Sequence, residues 1–129
     1  MKSLKILFML AGICVICLFN TGTVNAENWI YKDTYKNAQW DADSVYSDDY
    51  GNIINFTMQF YNHQNDTTTF YLAQIHKREL LKFTYGRIYD ANGNLLAESP
   101  LSMIYPVNTY AENSMFFDIV QYYNKYVKR

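Results

Sequence analysis

Residues 53–61 divide by parity: Ile54, Phe56, Met58 and Phe60 fall on one side, and Asn55, Thr57, Gln59 and Tyr61 on the other. Successive side chains of an extended chain point to opposite faces, so this spacing predicts a strand with one buried and one solvated face. A half-buried strand needs neighbours to pair with and a second layer over its apolar side, which makes this run the strongest constraint on the fold. Asp49, Gly51 and Asn52 before it, and Asn62, Gln64, Asn65 and Asp66 after it, favour turns and loops.

Two further runs read as strands. Residues 67–77 place Tyr71, Ala73 and Ile75 on one face, and residues 80–89 place Leu81, Phe83 and Tyr85 together. Asp90-Ala91-Asn92-Gly93-Asn94 follows, and Asn-Gly tolerates the positive φ angles of a tight hairpin turn. The strand that resumes at residues 95–98 is therefore expected to pair antiparallel with residues 80–89. Upstream, residues 29–35 and 38–43 suggest two shorter strands separated by Lys36-Asn37, with an acidic turn around Asp48 and Asp49 behind them.

Beyond Pro106 the period changes: Phe116, Ile119, Val120, Tyr123 and Val127 recur at helical spacing, and Thr109 with Glu112 matches a capping box. A helix over residues 110–126 is predicted, with Lys125, Lys128 and Arg129 at the end where cations complement its dipole. The expected fold class is α+β, an antiparallel sheet of five or six strands with a C-terminal amphipathic helix packed on it.

Residues 1–26 have the order of a secretory leader. Lys2 and Lys5 precede an uncharged apolar run of 14 residues from Ile6 to Phe19, and Val24-Asn25-Ala26 offers a small-residue cleavage site. The run is shorter than the roughly 20 residues a membrane-spanning helix needs. Ile13 before Cys14 and Ile16 before Cys17 do not fit a lipidation signal, so simple cleavage is expected, leaving residues 27–129 as one domain. Both cysteines lie in the leader, so this domain has no disulfide to rely on, although an exported protein could form one.

With Lys2 and Lys5 removed, 9 basic residues face 12 acidic ones, a net charge of −3. That balance weighs against nucleic acid and anionic membranes as partners, since both demand clustered cations. Aromatic residues are abundant: all 13 tyrosines and both tryptophans follow residue 26. Chemistry is sparsely provided for. The domain has no cysteine nucleophile, no glycine-rich phosphate loop and no serine elbow, and its histidines, His63 and His76, lack metal-ligand spacing. Asp41, Asp43, Asp48 and Asp49 fail as a calcium loop, because an EF-hand register puts Tyr46 where glycine is needed and Asn52 where a bidentate acid is needed. No enzyme activity, cofactor or metal is expected. Tyr61, on the solvated side of its strand, and Tyr122 and Tyr126, on the helix side away from Phe116 and Val120, are the candidate protein-binding residues.

Several landmarks recur in order: Trp29-Ile30-Tyr31, then Trp40-Asp41-Ala42-Asp43-Ser44-Val45, the alternating strand 53–61, the hairpin with Asp90-Ala91-Asn92-Gly93, and a closing helix after Pro106. This order resembles the surface-adhesin protein E family of bacterial surface and periplasmic proteins, over the whole chain after residue 26. The resemblance implies a curved antiparallel sheet flanked by helix, and adhesion to host extracellular or serum proteins. Typical members carry a cysteine near the positions of His76 and Lys77 and another at the end of the final helix. Both are absent here, so the implied disulfide cannot form and the helix must dock by its apolar stripe. The expected function is an exported bacterial, non-enzymatic binding module that contacts a host or envelope protein through a tyrosine-rich surface, in the periplasm, at the cell surface or outside the cell. The alternative is a structural or accessory periplasmic envelope protein that binds a bacterial partner or a small ligand.

Overall fold

A computed structural model describes residues 27–128, so the leader expected at residues 1–26 and the terminal Arg129 lie outside the described residues. The alternating run becomes β4 (Ile53–Asn62), the central strand of an antiparallel sheet that also holds β1 (Trp29–Ile30), β2 (Ala38–Asp41), β3 (Tyr46–Asp48), β5 (Thr67–His76), β6 (Leu80–Tyr89) and β7 (Leu95–Pro106). One helix, α1 (Met115–Tyr122), follows and continues into a single π-helical turn, Tyr123–Val127. The strand order is β1-β2-β4-β5-β6-β7, with β3 also paired to β4. The α+β class holds, with seven strands among the described residues.

β2 and β3 share one edge of β4: Ala38–Trp40 face Phe60–Met58, and Tyr46–Asp48 face Asn55–Ile53. Between them the chain lifts off into a short 3-10 turn, Ala42–Ser44. The backbone N–H of Thr57, left without a strand partner there, donates to Ser44 Oγ at 2.8 Å, and the Ser44 hydroxyl donates to the Asp41 carbonyl at 2.7 Å. β3 occupies the stretch where only an acidic turn was expected, because β4 is long enough to offer its edge twice.

The apolar parity of β4 faces α1. Ile54, Ile75 and Ile119 are 0% exposed and form the centre of the core. Trp40, Phe56, Met58, Ala73, Leu81 and Phe83 surround them from the sheet, and Met115, Val120 and Tyr123 from the helix. Burying one such side chain contributes about 1.5–3 kcal/mol. The helix is fixed by polar contacts as well. Trp40 Nε1 donates to the Tyr35 hydroxyl at 3.3 Å, Tyr35 donates to Asp118 on α1, and Lys32 Nζ lies 3.0 Å from the same carboxylate.

Four sequence expectations are corrected. The first strand stops at Ile30 rather than running to residue 35, because Asp33–Tyr35 coil into a 3-10 turn that buries Tyr35 against Trp40. The helix begins at Met115 rather than 110, capped by Ser114, whose Oγ accepts from Phe116 N at 3.1 Å. Thr109 does not cap it: its hydroxyl is buried and donates to the Arg78 carbonyl at 2.8 Å, tying the segment to the β5–β6 turn. Finally, Tyr85 does not share a face with Leu81 and Phe83. The register skips one residue, Thr84, so that Phe83 opposes Ala73 and Tyr85 opposes Leu72. Such a bulge moves every later side chain of β6 to the other face.

The β6–β7 pairing forms as expected, although within the loop only Gly93 has positive φ and the turn is longer than a two-residue hairpin. Pro100 and Pro106 both sit in β7, which the sheet tolerates because β7 is an edge strand. Gly86 opposes Tyr71, and a Cβ there would lie 3.0 Å from Leu101 Cδ1, so glycine lets Tyr71 and Leu101 close over it. Left-handed backbone occurs at both ends of the sheet, at Lys36, Asn37, Asp66 and Gly93 at one and in two facing turns at the other. Asp49 (φ 53), Tyr50 (φ 55) and Gly51 (φ 89) precede β4, and Lys77 (φ 52) and Arg78 (φ 61) join β5 to β6. For a residue other than glycine this conformation costs about 1–2 kcal/mol.

Candidate functional site

The helix covers one face of the sheet, and the other face is open. Its polar half is a ladder of amides: Gln59 donates to Gln39 at 2.7 Å, Gln74 to Asn55 at 3.0 Å and Asn55 to Asp48 at 2.9 Å, while His76 Nε2 sits 2.8 Å from Gln74 Oε1. Its other half is aromatic. Phe70 opposes Gln59 and Arg87 on the open side of β5, and Trp29 meets it edge to face at 5.7 Å although β1 and β5 are three strands apart. At about 4.8 Å per strand step that separation is roughly 14 Å, so both rings must lean inward over the smaller residues between them. On the far side Tyr89 packs edge to face on Phe70 at 5.2 Å.

The bulge at Thr84 builds the rest. By shifting β6 one residue it places Tyr85, Arg87 and Tyr89 on the open face. Together with Thr57, Phe70 and Leu72 they line a shallow cleft of about 270 Å³. The Arg87 guanidinium lies 5.5 Å from the Tyr85 ring centroid and its Nε is 3.2 Å from Glu98. Tyr85 donates its hydroxyl to Glu98 Oε1 at 2.5 Å, which holds the phenol above its ordinary pKa and the carboxyl below its own. Leu72, which also lines the cleft, is 50% exposed, an aliphatic side chain left in water beside aromatic rings.

The three tyrosines singled out from the sequence are not gathered into one surface. Tyr61 is on the open face, near the β4–β5 loop, donating to Asp66 at 2.5 Å with its ring against His63. Tyr122 is half-buried on the helix side, edge-on to Trp40 at 5.4 Å, which corrects its expected orientation away from the core. Tyr126 is 65% exposed and lies over Tyr122 at 5.0 Å. The cleft residues were missed because residues 70–72 are apolar on both parities, Phe70 and Leu72 as well as Tyr71. That doubled pattern is the available signal, a strand with apolar side chains on both faces.

His63 and His76 are at opposite ends of the sheet, His63 with Asn37 Oδ1 3.0 Å from its Nε2. Among the described residues no three His, Cys, Asp or Glu side chains converge as metal ligands, and no helix is long and apolar enough to cross a membrane. The acidic stretch is spent locally. Asp41 is 8% exposed and its Oδ1 accepts from Asn28 N and Asp43 N, each at 3.0 Å. Burial raises the Asp41 carboxyl above its ordinary pKa despite those two donors. A carboxyl raised in the fold stabilises it fully below its unfolded pKa of about 3.9, and that contribution is lost as pH rises through the folded value. Asp41→Asn keeps an oxygen for both amides and removes the buried charge. Its melting temperature is expected to match or exceed that of the native protein at pH 7, with the gap closing toward pH 4. A deficit at pH 7 in thermal melts would show that the ionised form is favoured.

No family model, curated protein or solved structure matches this chain.

Proposed function

We propose that this chain is an exported, non-enzymatic binding module that holds a partner protein on the open face of its sheet, in the manner of a bacterial surface adhesin. The observation that carries the reading is the aromatic cleft: Phe70, Tyr85 and Tyr89 line it, Trp29 and Tyr89 brace Phe70 from either side, and Leu72 stands half exposed among the lining residues. Rigid aromatic rings around an exposed aliphatic side chain supply contact area at low entropy cost, the composition that protein interfaces enrich. The cleft size favours a protein over a small ligand. At about 270 Å³ it falls below the roughly 300–1,000 Å³ of typical small-molecule pockets, yet it accommodates one projecting side chain of a partner. The leader-like residues 1–26 and the resemblance to the surface-adhesin protein E family support export and the adhesin role.

The test is capture of extracellular-matrix and envelope proteins by the immobilised exported protein. Phe70→Ala and Leu72→Ala are each expected to weaken the retained partner at least tenfold, about 1.4 kcal/mol, with Tyr126→Ala close to native. Retention of nothing, or retention indifferent to both cleft substitutions, would remove the proposal. Protease treatment of intact cells completes it, since an adhesin is cleaved from outside.

A further inference from the structure

Lys77, Arg78 and Lys128 come from distant parts of the chain, yet with Tyr50, Asn52 and Tyr123 they line an open cleft of about 490 Å³ at the end of the sheet. We propose that this cleft binds a small organic phosphate, the phosphate held among the three cations and the organic body against Tyr50. The cleft is separate from the aromatic half of the open face and shares no lining residue with it.

Among the described residues no carboxylate lines this cleft, and their ion pairs, Lys32–Asp118 and Arg87–Glu98, use other cations. Three of the nine cations that follow residue 26 are thus brought together with no acidic side chain among the described lining residues, in a domain whose net charge is negative. Like charges repel, and a bound anion relieves that repulsion.

The backbone gives an independent reason. The turn from His76 to Glu79 is closed by Glu79 N donating to the His76 carbonyl at 3.0 Å, and both central residues are left-handed, Lys77 at φ 52 and Arg78 at φ 61. Positive φ at both central positions is the geometry that selects Asn-Gly. Lys-Arg there works against the stability of the turn, as Lys36 (φ 54) and Asn37 (φ 73) do at the other end of the sheet, and strain of this kind persists only where the surrounding structure holds it, often at binding sites. The facing turn is left-handed too at Asp49, Tyr50 and Gly51.

The two turns are locked to each other. Lys77 N donates to the Asn52 carbonyl at 2.7 Å, and Arg78 Nη1 donates to the Gly51 carbonyl at 2.8 Å. The guanidinium lies 5.5 Å from the Tyr123 ring centroid, and Tyr123 donates to Ser47 at 3.1 Å. A Cβ on Gly51 would lie 3.0 Å from the Tyr123 hydroxyl, so glycine allows this close approach. The Arg78 guanidinium is therefore fixed before any ligand arrives, which lowers the ordering cost of binding. Tyr50 is fully exposed at the cleft, a ring free to cover a sugar or a planar group. The volume lies within the roughly 300–1,000 Å³ typical of small-molecule sites.

Calorimetric titration of the full exported protein with inorganic phosphate, glycerol 3-phosphate and adenosine monophosphate tests the proposal. Glycerol 3-phosphate is expected to bind, with at least a tenfold loss in Lys77→Asn and in Lys128→Ala and a similar loss in 0.5 M salt. Lys77→Asn puts a residue tolerant of left-handed backbone at that position, so an unchanged or raised melting temperature separates loss of the site from loss of the fold. Tyr50→Ala is expected to weaken adenosine monophosphate and leave inorganic phosphate unchanged. Co-sedimentation with phosphatidylglycerol vesicles, competed by glycerol 3-phosphate, would place the phosphate on a lipid headgroup; soluble binding without co-sedimentation would place it on a free ester. Absence of heat with all three probes, or affinities indifferent to both lysine substitutions, would overturn the proposal. Leu72→Ala serves as a control that leaves phosphate binding intact, so failure here and failure of the protein-binding reading are distinguishable.

Discussion

Ile119→Asp is expected to abolish cooperative folding. Ile119 is 0% exposed and belongs to the helix wall of the core, where Met115, Val120 and Tyr123 are also buried. The substitution gives up about 1.5–3 kcal/mol of apolar burial. It also leaves a carboxylate without a partner in the core, a defect of about 3–5 kcal/mol. The combined penalty is comparable to the whole stability of a typical domain, about 5–15 kcal/mol. The alternative outcome is helix undocking with the sheet intact, but that would bare Trp40, Phe56, Ala73 and Ile75 to water. Loss of near-ultraviolet dichroism together with a broad, non-cooperative urea transition is the expected measurement. A sharp transition near the native midpoint would show that α1 contributes little to the core.

The second large effect is expected at Trp40, where packing and polar docking meet. It is 3% exposed, stands edge-on to Tyr122 at 5.4 Å, and donates from Nε1 to Tyr35, which in turn donates to Asp118. Trp40→Ala opens a cavity and removes one donor from that chain, an expected cost of about 3–5 kcal/mol. For a domain of this size each kcal/mol shifts the melting temperature by about 4–8 °C, so a fall of at least about 12 °C is expected. Urea titration should show a lower midpoint with an unchanged slope, since the denatured chain is scarcely altered. A loss under about 1 kcal/mol would show that the Tyr35–Asp118 bond docks the helix alone. The same geometry reassigns Tyr122: its ring braces Trp40, so Tyr122→Ala should act on stability.

Much of the fold was legible because its signals are local. The parity of Ile54, Phe56, Met58 and Phe60 requires only that the chain be extended, and three of the four are buried, with Phe60 left 43% exposed beyond the helix. Asp90 to Asn94 marked the β6–β7 connection for the same reason: glycine and short polar residues announce a reversal wherever the strands go. Helix boundaries were harder. Thr109 and Glu112 have capping-box spacing, but the threonine hydroxyl has a competing acceptor in the Arg78 carbonyl, 31 residues away in sequence.

By itself, then, the sequence determined which segments extend, which one coils, that each must bury a single apolar side, and that the final helix had to dock without a disulfide. Tertiary structure decided which side of each strand is open, because one extra residue at Thr84 exchanges the faces of β6 and only a neighbouring strand can accommodate it. It also decided where the open clefts lie. Phe70, Leu72, Tyr85 and Tyr89 become a cleft, and Lys77, Arg78 and Lys128 a cationic pocket, through contacts between strands and turns remote in sequence. Periodicity reports the environment of a residue along its own strand, whereas a binding surface is set by what lies across it.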